Sequence, residues 1–395
     1  MAKVEPSKPS YTGPAVPGLE PQPLWAKGSG IVNLAMGVGK SIAYVRADIP
    51  GSALVVVDTA SSRELANIPL SVSQEGLIPS SPKFRRDSVK GKPVAVLRYT
   101  RNVPASGMQS EHEQTMDLVV GEDGGVVWQS PSGGSDFFEG GYIVEADVRS
   151  AGAFVNGSGP DEGNLSRLVS IKDGSDREIV KLAAGGYPTD DTLYQVVGDT
   201  AIMTFSEGII EGKGVKAIDL QQGGRTAWEL KDSEVLGVFG STLVTLRRTP
   251  ISSWQGEYFL EFHEVKTGKA NGVIKNPPNF DCHTSVYDPG NGVALCASNR
   301  TTNPPVTALD VHSGKIAWQQ PGPHPRDLEP VLAAGGTAYF LAKPEFGDEG
   351  TAYVAVDSRN GNVLSDSLTV APVAVSDDGI SLMHEGRMLY GFRLK

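Results

Sequence analysis

The chain has 395 residues, 47 of them Gly and 27 Pro, so these two breakers make up about 19% of it against a usual level of about 12%. That is too little for a collagen-like or disordered chain and too much for a helix bundle, while 39% hydrophobic residues permit a large core. A net charge of −11 repels nucleic-acid phosphates and anionic lipid surfaces, which argues against sequence-independent nucleic-acid binding.

Residues 1–23 carry Pro at 6, 9, 14, 17, 21 and 23 with few apolar residues, and they read as a flexible tether ahead of a folded body spanning 24–395. No run of about 18 apolar residues occurs, and no charged region leads into an apolar one as in a signal peptide. Such a lead is what remains when a secretion signal or lipoprotein anchor has been trimmed. The expectation is an exported protein, secreted or held at the outer face of the cell membrane by that anchor alone; an untrimmed cytosolic start stays open.

From Gly30 onward, alternating or compact apolar runs bounded by Gly, Pro, Asn and Asp recur, which predicts a nearly all-β chain. Gly39-Lys40-Ser41 matches the end of a phosphate-binding loop, but it runs into the strand-like Ile42–Val45 where such a loop must open a helix, so it reads as a strand and turn. The best helix-like window, Asp176–Ala184, is short and ends in Gly185-Gly186.

One unit recurs along the chain: an apolar strand, an acidic or polar turn with Gly, then a second strand. Val56-Val57-Asp58 leads through Ser61-Ser62 to Leu65, and Leu118-Val119-Val120 leads through Asp123-Gly124-Gly125 to Trp128. Leu168-Val169-Ser170 with Asp173-Gly174 is a weaker copy, followed by Ala217-Ile218-Asp219 to Trp228 and by Phe262-His263-Glu264 through Thr267-Gly268 to Lys269. Thr307–Trp318 is the clearest copy, and Ala355-Val356-Asp357 through Asn360-Gly361 is the last. The Trp-equivalent positions 66, 128, 178, 228, 272, 318 and 365 give a mean period of about 50 residues, the length of one four-stranded propeller blade. After the seventh copy only three strands remain, and Leu24-Trp25 supplies the fourth from the other end of the chain. The prediction is an eight-bladed β-propeller of four-stranded antiparallel blades, the last closed by N- and C-terminal strands.

Trp25, Trp128, Trp228 and Trp318 at equivalent positions point to packing between blades. Asp58, Asp219, Asp310 and Asp357 recur blade after blade and read as turn formers rather than a catalytic set. The pattern A-x-D-x-x-[ST]-G-x-x-x-W, complete from Ala308 to Trp318, resembles the PQQ-like propeller repeat of quinoprotein dehydrogenases and of non-enzymatic BamB-type lipoproteins. The enzymes of that family hold their quinone with calcium between acidic and amide side chains, stacked on a Trp and often capped by adjacent cysteines. This chain has no Cys-Cys pair, and its Trp residues are mostly taken up by the repeat. Its six histidines lack metal-ligand spacing, and no Gly-x-Ser-x-Gly elbow is present. Neither catalytic residues, a cofactor nor a metal are therefore expected.

Cys282 and Cys296 flank the turn Asp288-Pro289-Gly290-Asn291, and in a hairpin they face each other at a bridgeable distance. A disulfide is expected, and with it an extracytoplasmic compartment; two buried free thiols remain the alternative. The long connections Arg98–Gln114, Asn156–Asn164, Ser206–Gly214, Arg247–Glu257, Ser298–Pro305 and Lys343–Gly350 all fall between second and third strands, and so project from one face. Tyr99, Arg101, Arg247, Trp254, Arg300 and Phe346 are the candidate contacts there. The reading is a non-enzymatic, monomeric binding or scaffold protein that engages a protein or extracellular ligand. A PQQ- and calcium-dependent quinoprotein oxidoreductase, or the sensor domain of a larger receptor, is the alternative.

Overall fold

The computed structural model describes residues 11–48, 51–70, 83–89, 92–106, 110–131, 137–139, 142–146, 165–170, 176–181, 192–207, 211–219, 222, 225–249, 256–277, 282–298, 306–321, 326–342 and 352–395. Every regular element among them is a strand. After β1 (Trp25–Gly28), the first blade runs β2 (Ile31–Val38), β3 (Ser41–Asp48), β4 (Gly51–Asp58), β5 (Glu64–Pro69), and the second β6 (Lys83–Val89), β7 (Lys92–Val103), β8 (His112–Gly121), β9 (Val126–Pro131). The third is β10 (Phe137–Glu139), β11 (Tyr142–Ala146), β12 (Leu165–Ser170), β13 (Asp176–Lys181), and the fourth β14 (Thr192–Val197), β15 (Thr200–Glu207), β16 (Glu211–Asp219), β17 (Arg225–Lys231). The fifth is β18 (Ser233–Phe239), β19 (Thr242–Thr249), β20 (Glu257–Glu264), β21 (Ala270–Lys275), and the sixth β22 (Thr284–Asp288), β23 (Val293–Ala297), β24 (Val306–Asp310), β25 (Lys315–Gln319). The seventh is β26 (Leu328–Ala334), β27 (Thr337–Ala342), β28 (Ala352–Asp357), β29 (Val363–Leu368), and the eighth β30 (Pro372–Val375), β31 (Ile380–Glu385), β32 (Met388–Arg393). The eighth sheet has the order β1-β32-β31-β30, so β1 is its outer strand, while the others meander in chain order. This is the eight-bladed propeller topology that the repeats predict. The helix-like window from Asp176 is instead β13, because its residues pair with β12.

The chain forms two compact units: residues 1–132, 331–357 and 362–395, and residues 133–330 and 358–361. In the first, Ile42, Tyr44, Val55, Val57, Trp25, Leu382 and Leu389 make one core between the eighth and first blades, and Leu54, Val56, Leu97, Leu118 and Val120 another between the first and second. In the second, Ile202, Val215, Ala217 and Leu243 fill the seam between the fourth and fifth blades, and Phe239, Phe262, Ala294, Cys296 and Leu309 that between the fifth and sixth. Central strands read as nearly continuous apolar runs, because both of their faces meet neighbouring blades.

A recurring bond orders these seams. The Trp25 indole N–H donates to the Thr59 carbonyl at 2.6 Å, that of Trp228 to Val265 at 2.9 Å and that of Trp318 to Ser358 at 2.8 Å. Each acceptor directly follows the acidic residue that opens a turn, respectively Asp58, Glu264 and Asp357. The turns are built as expected: Asp310 accepts from the His312 and Ser313 amides and the Ser313 hydroxyl, and Asp58 from the Ser61 amide and hydroxyl. Gly268 and Gly361, at φ +67° and +74°, pass beneath the indoles, where an added Cβ would lie 2.7 Å from the Trp228 ring or 2.8 Å from that of Trp318.

The segment expected as a tether is packed from Tyr11 onward. Tyr11, Val16 and Leu19 join Tyr339, Leu368, Met383 and Phe392 in a core, and Tyr11 meets the rings of Tyr390 and Phe392 edge-on at 5.2 and 5.3 Å. The Tyr339 hydroxyl donates to the Pro17 carbonyl, Lys395 N–H to Gly18 O, and Leu19 bridges Leu394. Proline density signals an extended backbone here rather than a mobile one; the scattered apolar residues between the prolines supply the packing.

Replacing Trp228 with Phe keeps most of the ring and strands the Val265 carbonyl, at a cost of about 1 kcal/mol, whereas Trp228→Ala empties the seam and costs about 3–5 kcal/mol. Urea unfolding of the two variants checks this; equal midpoints would show that the indole bond and ring do not hold the seam.

Candidate functional site

Of the predicted contact residues, Tyr99, Arg101 and Arg247 stand on hairpins between second and third strands. Tyr99 and Arg101 lie within β7 rather than in a loop, because the β7–β8 ladder continues to Val103↔His112. Tyr99 is buried with Leu97, Met116 and Leu118, and its hydroxyl accepts from Gln129 Nε2 at 2.7 Å, so it is a core residue and not a surface contact. Arg101 spends Nε and Nη2 on Gln114 Oε1 across the strands. Alternation accounts for both: a long hairpin turns every second residue inward. Trp254, Arg300 and Phe346 lie outside the described residues.

Arg247 is the most informative of the set. It stands in β19 directly opposite Phe259, and Arg248 opposite Tyr258. The Arg247 guanidinium lies 4.4 Å from the Phe259 ring centroid and that of Arg248 5.3 Å from the Tyr258 ring, stacked pairs of a kind worth ~0.5–1 kcal/mol each when exposed. Since successive residues point to opposite faces, the hairpin carries one guanidinium–aromatic pair on each side. Arg247 also donates from Nε and Nη2 to Glu261 Oε1, at 2.9 and 2.6 Å. Glu261 is nearly enclosed; burial alone would raise its pKa, but the bonds from His263 and Arg247 outweigh this and hold it below the usual carboxylate value. Tyr258, Phe259 and Glu261 are not singled out by the sequence, although Arg247-Arg248 and Tyr258-Phe259 are symmetric about Ser253, the signal of a hairpin that pairs them.

The two cysteines are joined, with Cα atoms 4.8 Å apart. Cys296 is fully buried in β23 opposite Ser285, not opposite Cys282, so the bond ties the segment entering β22 to the second strand of the blade. Gly39 and Lys40 form the β2–β3 turn, and the Lys40 amide donates to the Glu122 carboxylate, so this motif is the strand and turn expected.

Neither a family model nor a curated protein matches the sequence. Solved structures similar in fold include a europium-containing methanol dehydrogenase (TM-score 0.44, 12% identity, 92% of this chain and 84% of that one) and BamB from Moraxella catarrhalis (0.38, 11%, 80% and 98%). The quinohemoprotein alcohol dehydrogenase from Comamonas testosteroni is another (0.45, 11%, 93% and 75%). The chain is similar to PQQ-like and BamB-like propellers. At these identities the likeness concerns the fold alone and selects no activity. Among the described residues, no group of three His, Cys, Asp or Glu that could hold a metal occurs. Trp25, Trp228 and Trp318 are committed to seams, and the cysteines are bonded to each other across 14 positions.

Glu261 favours its charged form when folded, so its contribution is complete above the unfolded carboxylate value of about 4.3 and disappears as pH falls through its lower folded value. The stability advantage of the wild type over Glu261→Gln is therefore expected to shrink from pH 5 to about pH 3, as measured by denaturation at each pH. Separately, Cys296→Ala is expected to cost about 3 kcal/mol; a reductant-insensitive melting temperature of the wild type would contradict this.

Proposed function

We propose that this protein is a non-enzymatic binding scaffold of an extracytoplasmic compartment, which engages a protein or extracellular ligand through the hairpins between second and third strands. The observation that carries the reading is the pair of stacked guanidinium–aromatic couples, Arg247 on Phe259 and Arg248 on Tyr258, mounted on the β19–β20 hairpin. Arg, Tyr and Trp dominate binding hot spots, since they offer large contact area with few torsions to freeze. The Cys282–Cys296 bond supports an oxidising compartment.

Arg247→Ala would unpair the enclosed Glu261, so Tyr258→Ala and Trp254→Ala are the cleaner probes. Each is expected to lower recovery of a cross-linked partner from envelope extract about tenfold, the effect of losing ~1.4 kcal/mol at a hot spot. Undiminished recovery with both variants would refute the assignment, and heat released on titration with PQQ and calcium would favour an oxidoreductase instead.

A further inference from the structure

Residues 11–19 lie on the seventh and eighth blades as a bound peptide lies on a receptor. Tyr11, Val16 and Leu19 are buried, whereas Thr12, Pro14 and Ala15 between the first two are exposed. Three anchors therefore reach the body, and the residues between Tyr11 and Val16 mainly span. The floor comes from both blades: Tyr339 and Leu368 from the seventh, Met383 and Phe392 from the eighth. At its far end the last strand outruns β1, and there Glu20 N–H donates to Arg393 O, Lys395 N–H donates to Gly18 O and Leu19 bridges Leu394. Gly18, at φ +79°, lies flush on the body, since an added Cβ would stand 2.5 Å from Thr337 Oγ1. Pairing an extended segment with a strand while side chains fill pockets is a general mode of peptide recognition.

The hold on the segment is uneven. Residues 18–20 are paired as above, and the Tyr339 hydroxyl donates to the Pro17 carbonyl. Among the described residues, the backbone of 11–16 makes no hydrogen bond to the blades, so Tyr11 and Val16 hold that half through side chains alone. Tyr11 fits its pocket poorly. The rings of Tyr390 and Phe392 meet it edge-on, but its hydroxyl is enclosed without a hydrogen-bond partner. Gly13 of the same segment closes over that oxygen, because a Cβ there would stand 2.3 Å from it. A hydroxyl buried in this way loses its bonds to water with nothing to replace them. The pocket suits an aromatic ring without a polar end.

We propose that this groove is a docking site for an extended, proline-spaced segment of a partner protein, and that residues 11–19 occupy it in cis through a first anchor that leaves them displaceable. The partner segment has the chemistry of the cis one without the stranded hydroxyl: Phe as first anchor, Val five positions later, then a Gly that lets the following Leu enter beside Leu394. The tether Glu20–Pro23 gives the cis segment an effective concentration on the order of millimolar. A free peptide therefore competes well only when the cis anchors are weakened. The groove lies wholly within the unit of residues 1–132, 331–357 and 362–395, and the proposal is independent of what the β19–β20 hairpin binds.

The test uses fluorescein-labelled synthetic peptides of residues 11–22, one with the native Tyr and one with Phe in its place. Each is titrated by anisotropy with the full-length wild type and with the Tyr11→Ala/Val16→Ala double variant. The double variant is expected to bind the Phe peptide about tenfold more tightly than the wild type does, and about fivefold more tightly than it binds the Tyr peptide. A Phe peptide carrying Gly18→Ala should not bind. Absence of binding to the folded double variant overturns the proposal, as does equal affinity for the two proteins or for the two peptides. A wild-type dimer that excess Phe peptide dissociates would assign the groove to the segment of a second copy and so overturn a separate partner. If the double variant does not fold, amide exchange of the wild type decides. Excess Phe peptide should speed exchange at Leu19 and Glu20, whose amides are hydrogen-bonded in the cis segment; unchanged rates refute displacement.

Discussion

Each unit depends on one repeated constraint: the outer-strand residue of a blade must reach the final turn of the blade beside it. Where that residue is Trp, ring area supplies most of the stabilisation, and the indole bond to a turn carbonyl, worth about 1 kcal/mol net, sets where the ring rests. Where it is small, the backbones close the gap themselves. A Cβ added at Gly314 would stand 2.6 Å from the Cα of Gly272, and one at Gly124 would stand 2.8 Å from the Ala66 methyl. Trp over glycine and small residue against glycine are thus two solutions of one packing problem, and this is why the repeat looks degenerate in the sequence.

A second device aims these residues. In six blades the ladder between third and fourth strands slips by one residue at the same place, next to Ala66, Trp128, Trp228, Gly272, Trp318 and Ser365. The extra residue always lies just ahead of the seam position on the outer strand, for example Ala227 before Trp228 and Ala317 before Trp318. A bulge bends and twists the strand that carries it, and here it turns the ring out of its own sheet toward the neighbouring turn. At five of these bulges the extra residue is left facing solvent, which accounts for the exposed Val127 and Leu364, whereas Leu65 in the first blade packs on the core. Hydroxyl–carboxylate bonds tie the same turns together: Thr59 donates to Asp378, and Ser358 to Asp288. The residue after the turn acid therefore works twice where it is Thr or Ser, accepting an indole bond on its carbonyl and donating from its hydroxyl.

The candidate surface shows where reading by pattern stops. Arg247 stands out in the sequence by its place beside a long connection, but its partners come from a hairpin register that only the paired strands display. The same extension of strands into supposed loops carried Tyr99 inward, since its direction is set by alternation along β7 and not by distance from the turn. His263 reads in sequence as one more apolar-strand residue. Its neighbours, Glu261 two positions earlier and the Gly268 carbonyl five positions later, are brought to it by the alternation of β20 and by the turn that follows.

The amino-acid sequence by itself determined the number of blades, their four-stranded form, the turn carboxylates, the closing role of Trp25 and the cysteine pair. All of these rest on residues within about 50 positions of one another or on a motif repeated at that period, so local chemistry suffices to state them. Tertiary structure alone decided the bulges, the pairing of each Trp with one particular carbonyl, the burial of Tyr99 and the packing of Tyr11, Val16 and Leu19 against the last strand. The bulges lie within single hairpins, but the others reach across some 30 to 380 residues, where a prolyl segment or an alternating strand is compatible with several neighbours and only the assembled surface selects one.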